Sequence, residues 1–209
     1  VPGGVEVDGR KITAPRVILA TGGRPAVPDI PGILDVPTLD SASLLELDQL
    51  PESLIFLGGG YIGVELAQMM ARMGTRVTVV CRSRLLPRTE PEVSEALTAT
   101  LRAEGVHVLD GATYHAARRD GDRSVLTVTV DGAERDLTAD RLVLTTGRAP
   151  NTEGLCLAEM GVETDARGAI RVGDDMQTTK PGIFAAGDVT DRDQFVYMAA
   201  YGAKLASRN

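Results

Sequence analysis

Apolar positions along this chain fall into short runs and periodic stretches that predict alternating strands and helices. Residues 54–57 (LIFL) read as a buried strand, and residues 64–74 (VELAQMMARMG) carry helical spacing that stops at Gly74. Residues 76–80 (RVTVV) predict a second strand. Residues 91–105 predict a second helix, with Pro91 at its start and Gly105 at its end. Residues 106–109 (VHVL) make a third strand. Residues 124–130 (SVLTVTV) alternate at period two before the turn DGAE, which predicts an antiparallel excursion. Residues 141–147 (RLVLTTG) return as a buried strand. Strands alternating with helices, followed by a small meander, imply an α/β fold with a parallel sheet covered by helices.

The flanks are less regular. Residues 16–23 (RVILATGG) and 183–186 (IFAA, before Gly187 and Asp188) are buried-strand runs ending in glycine turns. RPAVPDIPG, which follows the first, is too proline-rich for a helix or a central strand and predicts a linker leaving one domain. Residues 39–51 suit a short helix capped by Asp40 or Ser41. The closing stretch FVYMAAYGAKLASRN is amphipathic and helical, with no stop signal, and the chain opens on Val1 rather than methionine. These ends are expected to mark a piece of a longer protein.

Composition narrows the function. The 209 residues are 43% hydrophobic with a net charge of −7 and no lysine–arginine run. A globular chain with neither nucleic acid nor anionic membrane as partner is expected. No apolar stretch approaches the roughly 20 residues that span a bilayer. Cys81 and Cys156 fit no metal or redox spacing and predict reduced structural thiols, in keeping with a cytoplasmic location. His107 and His115 have no partner cluster and predict loop residues.

The candidate chemistry is in IFLGGGYIGVE. Gly58, Gly60 and Gly63 form G-x-G-x-x-G after a predicted strand and at the start of a predicted helix. Gly58 allows the tight turn, Gly60 lets a pyrophosphate approach the backbone, and Gly63 lets helix and strand pack closely. The helix N-terminus then offers N–H groups and partial positive charge to the phosphates. The alternative is a plain glycine-rich turn. NAD-binding folds place a carboxylate at the end of the second strand, on the ribose 2′-OH. Here that position holds Cys81, followed by RSRLLPR with Arg82, Arg84 and Arg88. A 2′-phosphate brings about −1.5 to −2 charges. Two charge-assisted contacts at about 1.5 kcal/mol each would favour NADPH over NADH by about ten- to a hundredfold or more. A merely solvated basic loop is the alternative.

Taken together, ATGGRPAVPDIPG, GGGYIGVELA, TTGRAPNTEGL and FAAGDV resemble, in order, motifs of the pyridine nucleotide–disulfide oxidoreductases, over nearly the whole chain. The resemblance implies a Rossmann-like FAD/NAD(P)-binding fold with the nucleotide domain inserted in a split FAD domain. Residues 1–37 would end the first FAD segment, 38–147 would be the NAD(P)H domain, and 148–209 would begin the second FAD segment. It implies that Asp188 bonds the FAD ribitol, that Val196 offers backbone to the flavin ring, and that Ala20, Thr21, Gly22 and Arg148 lie near FAD. Ile62 and Gly147 would join Gly58, Gly60, Gly63, Arg82 and Arg88 on NADPH. The two arginines stand at the spacing of the family's NADPH users. Tyr61 would cover the flavin face where nicotinamide docks, and Glu65 would pair with a lysine upstream of this chain. A surface tyrosine, a solvated glutamate and a solvated turn aspartate are the plainer alternatives.

The tail DQFVYMAAYGAKLA resembles the mercuric reductase branch, which makes Hg²⁺ the expected electron acceptor, with a small disulfide as the alternative. Another disulfide reductase of the family, a flavin reductase with no thiol relay, and a segment that only binds NADPH are the competing functions. In the family the FAD pyrophosphate motif and the redox-active C-x4-C pair precede the region that this chain matches. A dimerising domain, with the cysteines that deliver Hg²⁺, follows it.

Overall fold

The computed structural model describes residues 4–209; the first three residues of the expected 1–37 segment lie outside the described residues. Along the chain the elements run β1 (Gly4–Val7), β2 (Arg10–Thr13), β3 (Val17–Leu19), β4 (Gly23–Pro25), β5 (Thr38–Leu39), α1 (Ser41–Leu45), β6 (Ser53–Leu57), α2 (Tyr61–Arg72) and β7 (Arg76–Val80). There follow α3 (Pro91–Ala103), β8 (His107–Leu109), β9 (Thr113–Asp120), β10 (Arg123–Val130), β11 (Ala133–Ala139) and β12 (Arg141–Leu144). The chain then forms β13 (Arg148–Pro150), α4 (Leu157–Met160), β14 (Ile183–Ala185) and α5 (Val196–Ala206). Two compact units result: residues 25–147 make one, and residues 1–24 with 148–209 make the other.

The central unit is built on a parallel sheet of order β5-β12-β6-β7-β8. Every residue of β6 is buried, because both faces of the sheet are covered. Leu54 and Phe56 point to one side, where Val64, Ala67 and Met70 of α2 and Leu101 of α3 pack. Ile55 and Leu57 point to the other, against Leu126, Val128 and Val130 of β10. The predicted excursion is a three-stranded antiparallel meander of order β11-β10-β9, and it lies over the face that carries no helix. Only its middle strand was legible from alternation. β9 and β11 are mostly polar outer strands, with only a few side chains, such as Ala117 and Ala139, turned into the core.

The expected linker behaves differently from its reading. Ile30, Ile33 and Val36 are buried in the meander-side core, so this stretch groups with the central unit and the break between units falls after Arg24. Ala117 N–H donates to the Pro31 carbonyl at 2.8 Å. Gly32, at φ +78, packs so tightly that a Cβ there would lie 2.1 Å from the Ala117 carbonyl oxygen. Apolar side chains between prolines fill this core from extended chain and a single 3-10 turn at Ile33–Asp35, which strand and α-helix periods do not register. Of the two proposed caps for α1, Asp40 is the one, accepting from the Ala42 and Ser43 amides at 3.0 and 2.8 Å.

In the other unit, β3 and β14 pair in parallel, Val17 opposite Ile183. Leu19, Leu157, Val162, Ile170, Ala185 and Val189 form its small core. β4 pairs with β13, and β1 with β2 in a hairpin. α5 exposes Val196, Tyr197 and Tyr201.

Candidate functional site

The strand order of the central unit reverses at β6: β7 and β8 lie to one side, β12 and β5 to the other. Ligands of open α/β sheets bind beyond the carboxyl ends of the strands at such a switch point. The glycine turn occupies this place. Gly58, at φ +108, needs a conformation that L-residues resist, and a Cβ there would lie 2.5 Å from the Thr145 carbonyl oxygen. A Cβ on Gly63 would lie 2.4 Å from the Gly58 carbonyl oxygen and 2.8 Å from Thr145 Oγ1, so glycine is what lets α2 begin so close to β6 and β12. Gly60 differs: a Cβ there would meet nothing within 4 Å. The space in front of Gly60 is open, at the N-terminus of a twelve-residue helix that no side chain caps. A pyrophosphate fits this cradle, because the one substituent that would fill it is absent and the helix end carries partial positive charge.

Two further residues complete the turn. A Cβ on Gly59 would come within 2.8 Å of Leu85 and 3.2 Å of Cys81. Thr145 Oγ1 donates to the Leu57 carbonyl at 2.9 Å, tying β12 to the strand that feeds the turn. The run of three glycines was visible in the sequence, but the crowding at its middle member was not. Gly147, at φ +119, is exposed at the end of the β12 segment.

Next to the turn, the chain leaves β7 through Cys81 into the arginine loop. Cys81 is buried, its thiol contacts the Ser83 carbonyl at 3.2 Å, and burial, with the charge of Asp110 second, pushes its pKa up to about 11. No carboxylate stands at the position where an NAD-specific fold would carry one. The loop is pinned back onto the glycine turn: Leu86 N–H donates to the Gly59 carbonyl at 2.7 Å. Ser94 of α3 donates to the Leu85 carbonyl at 2.6 Å. Arg84 turns inward, its Nη2 donating to the Thr89 carbonyl at 2.7 Å, so it braces the loop and is not displayed with its neighbours. Arg82 and Arg88 are exposed. The Arg82 guanidinium sits 5.5 Å from the centre of the Tyr114 ring. Burial, and then the neighbouring Cys81, holds the Tyr114 phenol above its ordinary pKa.

Tyr61 is the first residue of α2 and is 48% exposed; Ile62 and Glu65 are also exposed on that helix. In the other unit, Asp188 lies just past β14, and its Oδ2 accepts from Arg148 Nε at 2.8 Å. Arg148 also donates to the Gly23 carbonyl. A Cβ on Gly23 would come 3.2 Å from that of Asp188, so Gly23, Arg148 and Asp188 form one cluster. Thr21 Oγ1 donates to the Asn151 carbonyl at 2.7 Å, and Asn151 Nδ2 returns a bond to the Thr21 carbonyl at 3.0 Å. Ala20 and Gly22 flank that exchange. Val196 opens α5 and is 85% exposed. Both histidines are exposed but lie in strands, His107 in β8 and His115 in β9, rather than in loops; His115 Nε2 is hydrogen-bonded to Thr129 Oγ1 at 2.7 Å. Among the described residues no group of three His, Cys, Asp or Glu side chains could hold a metal, and no helix is long and apolar enough to cross a membrane.

The family profile described as pyridine nucleotide-disulphide oxidoreductase matches residues 1–204. The chain belongs to this family. It is 45% identical over 206 residues to a mercuric reductase of Bacillus cereus, covering 98% of this chain and 33% of that protein. A mercuric reductase of Staphylococcus aureus is 41% identical, with 98% and 38% covered. Among solved structures, the Cu(II) complex of the HOCl-induced flavoprotein disulfide reductase RclA from Escherichia coli matches with a TM-score of 0.84 and 34% identity, covering 93% of this chain and 45% of that one. The chain thus spans a third to under half the length of these relatives. The fold is the Rossmann-like FAD/NAD-binding type, and the family is one of oxidoreductases that use a flavin and a pyridine nucleotide.

Proposed function

We propose that this chain is the NADPH-binding segment, with part of the flavin-binding segment, of a longer enzyme that moves electrons from NADPH through FAD and a thiol pair to Hg²⁺. One observation carries the nucleotide half: a glycine turn at the switch point, open only in front of Gly60, beside a loop whose acid position is a buried thiol. The chemistry that the bound cofactors supply in such enzymes is hydride donation by nicotinamide and electron relay by flavin. The residues of this chain bind and orient. Gly58, Gly60 and Gly63 shape the main-chain pocket for the diphosphate, with Ile62 and Gly147 at its rim. Arg82 and Arg88 offer guanidinium groups to the 2′-phosphate, whose charge suits paired, planar donors. Tyr61, at the mouth of the turn, covers the nicotinamide place, and Glu65, one turn along the same exposed helix face, pairs with a lysine supplied by the longer chain. Asp188, held by Arg148, accepts from the FAD ribitol. Ala20, Thr21, Gly22 and the backbone of Val196 line the rest of that site.

The mercuric reading is supported by the relatives of that name at 41–45% identity across both units. A disulfide reductase without preference for mercury is the second reading, favoured by the solved relative named as one. NADPH oxidation by the full-length enzyme, with and without Hg²⁺ in excess thiol, separates them. Hg²⁺-dependent oxidation is expected. Turnover only with a small disulfide would replace the first reading by the second. The 209-residue chain alone binds NADPH without turnover.

A further inference from the structure

We infer that Tyr114 is a positioning residue for nucleotide choice: its ring is the platform that holds Arg82 at the 2′-phosphate. The inference rests on the reading of Arg82 given above. Three observations converge on it. The Arg82 guanidinium lies over the Tyr114 ring, 5.5 Å from its centre. The Tyr114 hydroxyl donates to the Val80 carbonyl at 2.8 Å. That same carbonyl accepts from the Gly58 amide, also at 2.8 Å. One backbone oxygen at the end of β7 therefore fixes both the first glycine of the diphosphate turn and the platform of the arginine. The two halves of the dinucleotide site share a common anchor.

The fold commits a specific device to this placement. β9 carries a bulge opposite β10: Ala116 faces Thr127 but Tyr114 faces Val128, which leaves His115 as the extra residue. Side chains three apart on a regular strand point to opposite faces. The bulge reverses that phase, so that Ala117 is buried in the meander-side core and Tyr114 packs against the same core. Without it, Tyr114 would point to the outer face and away from Val80. Arginine is otherwise a long, freely rotating side chain on an exposed loop. A ring beneath it lowers the cost of ordering its guanidinium before the phosphate arrives.

The test titrates the full chain with NADPH and NADH for Tyr114→Leu, Tyr114→Phe, Arg82→Gln and the double variant Arg82→Gln/Tyr114→Leu. Loss of a cation–π platform predicts a rise of about two- to fivefold in the NADPH dissociation constant in Tyr114→Leu. NADH affinity stays constant, which also reports that the variant is folded. Tyr114→Phe keeps the ring and most of the preference. In the Arg82→Gln background, Tyr114→Leu adds nothing. If Arg82→Gln lowers the NADPH preference while Tyr114→Leu leaves it intact, or lowers both nucleotides equally, the platform role is wrong and the reading of Arg82 survives. If Arg82→Gln itself leaves the preference unchanged, the underlying reading fails and the platform with it.

Discussion

The glycines of the turn separate folding from binding one residue at a time. Gly58 and Gly63 are required by the protein itself, since a methyl group at either would press on backbone oxygen. Gly60 has no such internal reason, having an ordinary negative φ and open space at its Cβ position. Gly63→Ala should therefore destabilise the chain by about 1–3 kcal/mol through overpacking. Gly60→Val should leave thermal stability nearly unchanged and weaken NADPH and NADH alike by at least about tenfold. Melting curves run beside nucleotide titrations check the pair. A Gly60→Val chain that melts normally and still binds both nucleotides would refute the cradle. The G-x-G-x-x-G spacing made all three glycines legible in the sequence. Only the structure shows that Gly59 is pinned against Leu85 and Cys81 and that Thr145 closes the turn from β12, because these approaches join residues well apart in the chain, 88 positions in the case of Thr145 and Leu57.

Among the elements, the loop from Cys81 to the start of α3 is where the proposed choice of nucleotide would be made. Its two exposed arginines are displayed because the loop between them is fastened from below. Leu86 N–H bonds the Gly59 carbonyl, Arg84 bonds Thr89, and the buried Ser94 hydroxyl bonds the Leu85 carbonyl. Ser94→Ala leaves that carbonyl without a partner. It should cost about 1–3 kcal/mol of stability and weaken NADPH more than NADH, as measured by unfolding and by titration. Equal binding of both nucleotides by the variant, with normal stability, would mean the fastening is irrelevant. The strands β6 and β7 and the helix α3 were legible from apolar period and from the Pro91 and Gly105 punctuation. β9 was not. Its residues are mostly polar, and it is the bulge at His115, invisible to strict alternation, that turns Tyr114 to the core side.

At the scale of the whole molecule, the chain is a central unit interrupting the sequence of another. The central unit carries two extensive cores on the two faces of one parallel sheet. The other has one small core and pairs of short strands. The α/β class could be read from the alternation of strands and helices, and the family from the resemblance of four glycine-bearing motifs, in order, to those of its members. The boundary after Arg24 could not, because Ile30, Ile33 and Val36 enter the core from a short proline-bounded stretch that matches neither the helical nor the strand period. The proposed function requires a dinucleotide seated at the β6–β12 switch point and sorted by guanidinium groups beyond β7. Its most direct test is calorimetric titration of the chain and of Arg82→Glu with NADPH and NADH. The native chain should prefer NADPH by about ten- to a hundredfold, and Arg82→Glu should raise the NADPH dissociation constant by about tenfold or more with little change for NADH. A native chain that binds the two equally, or a variant that loses both in the same proportion, would contradict it.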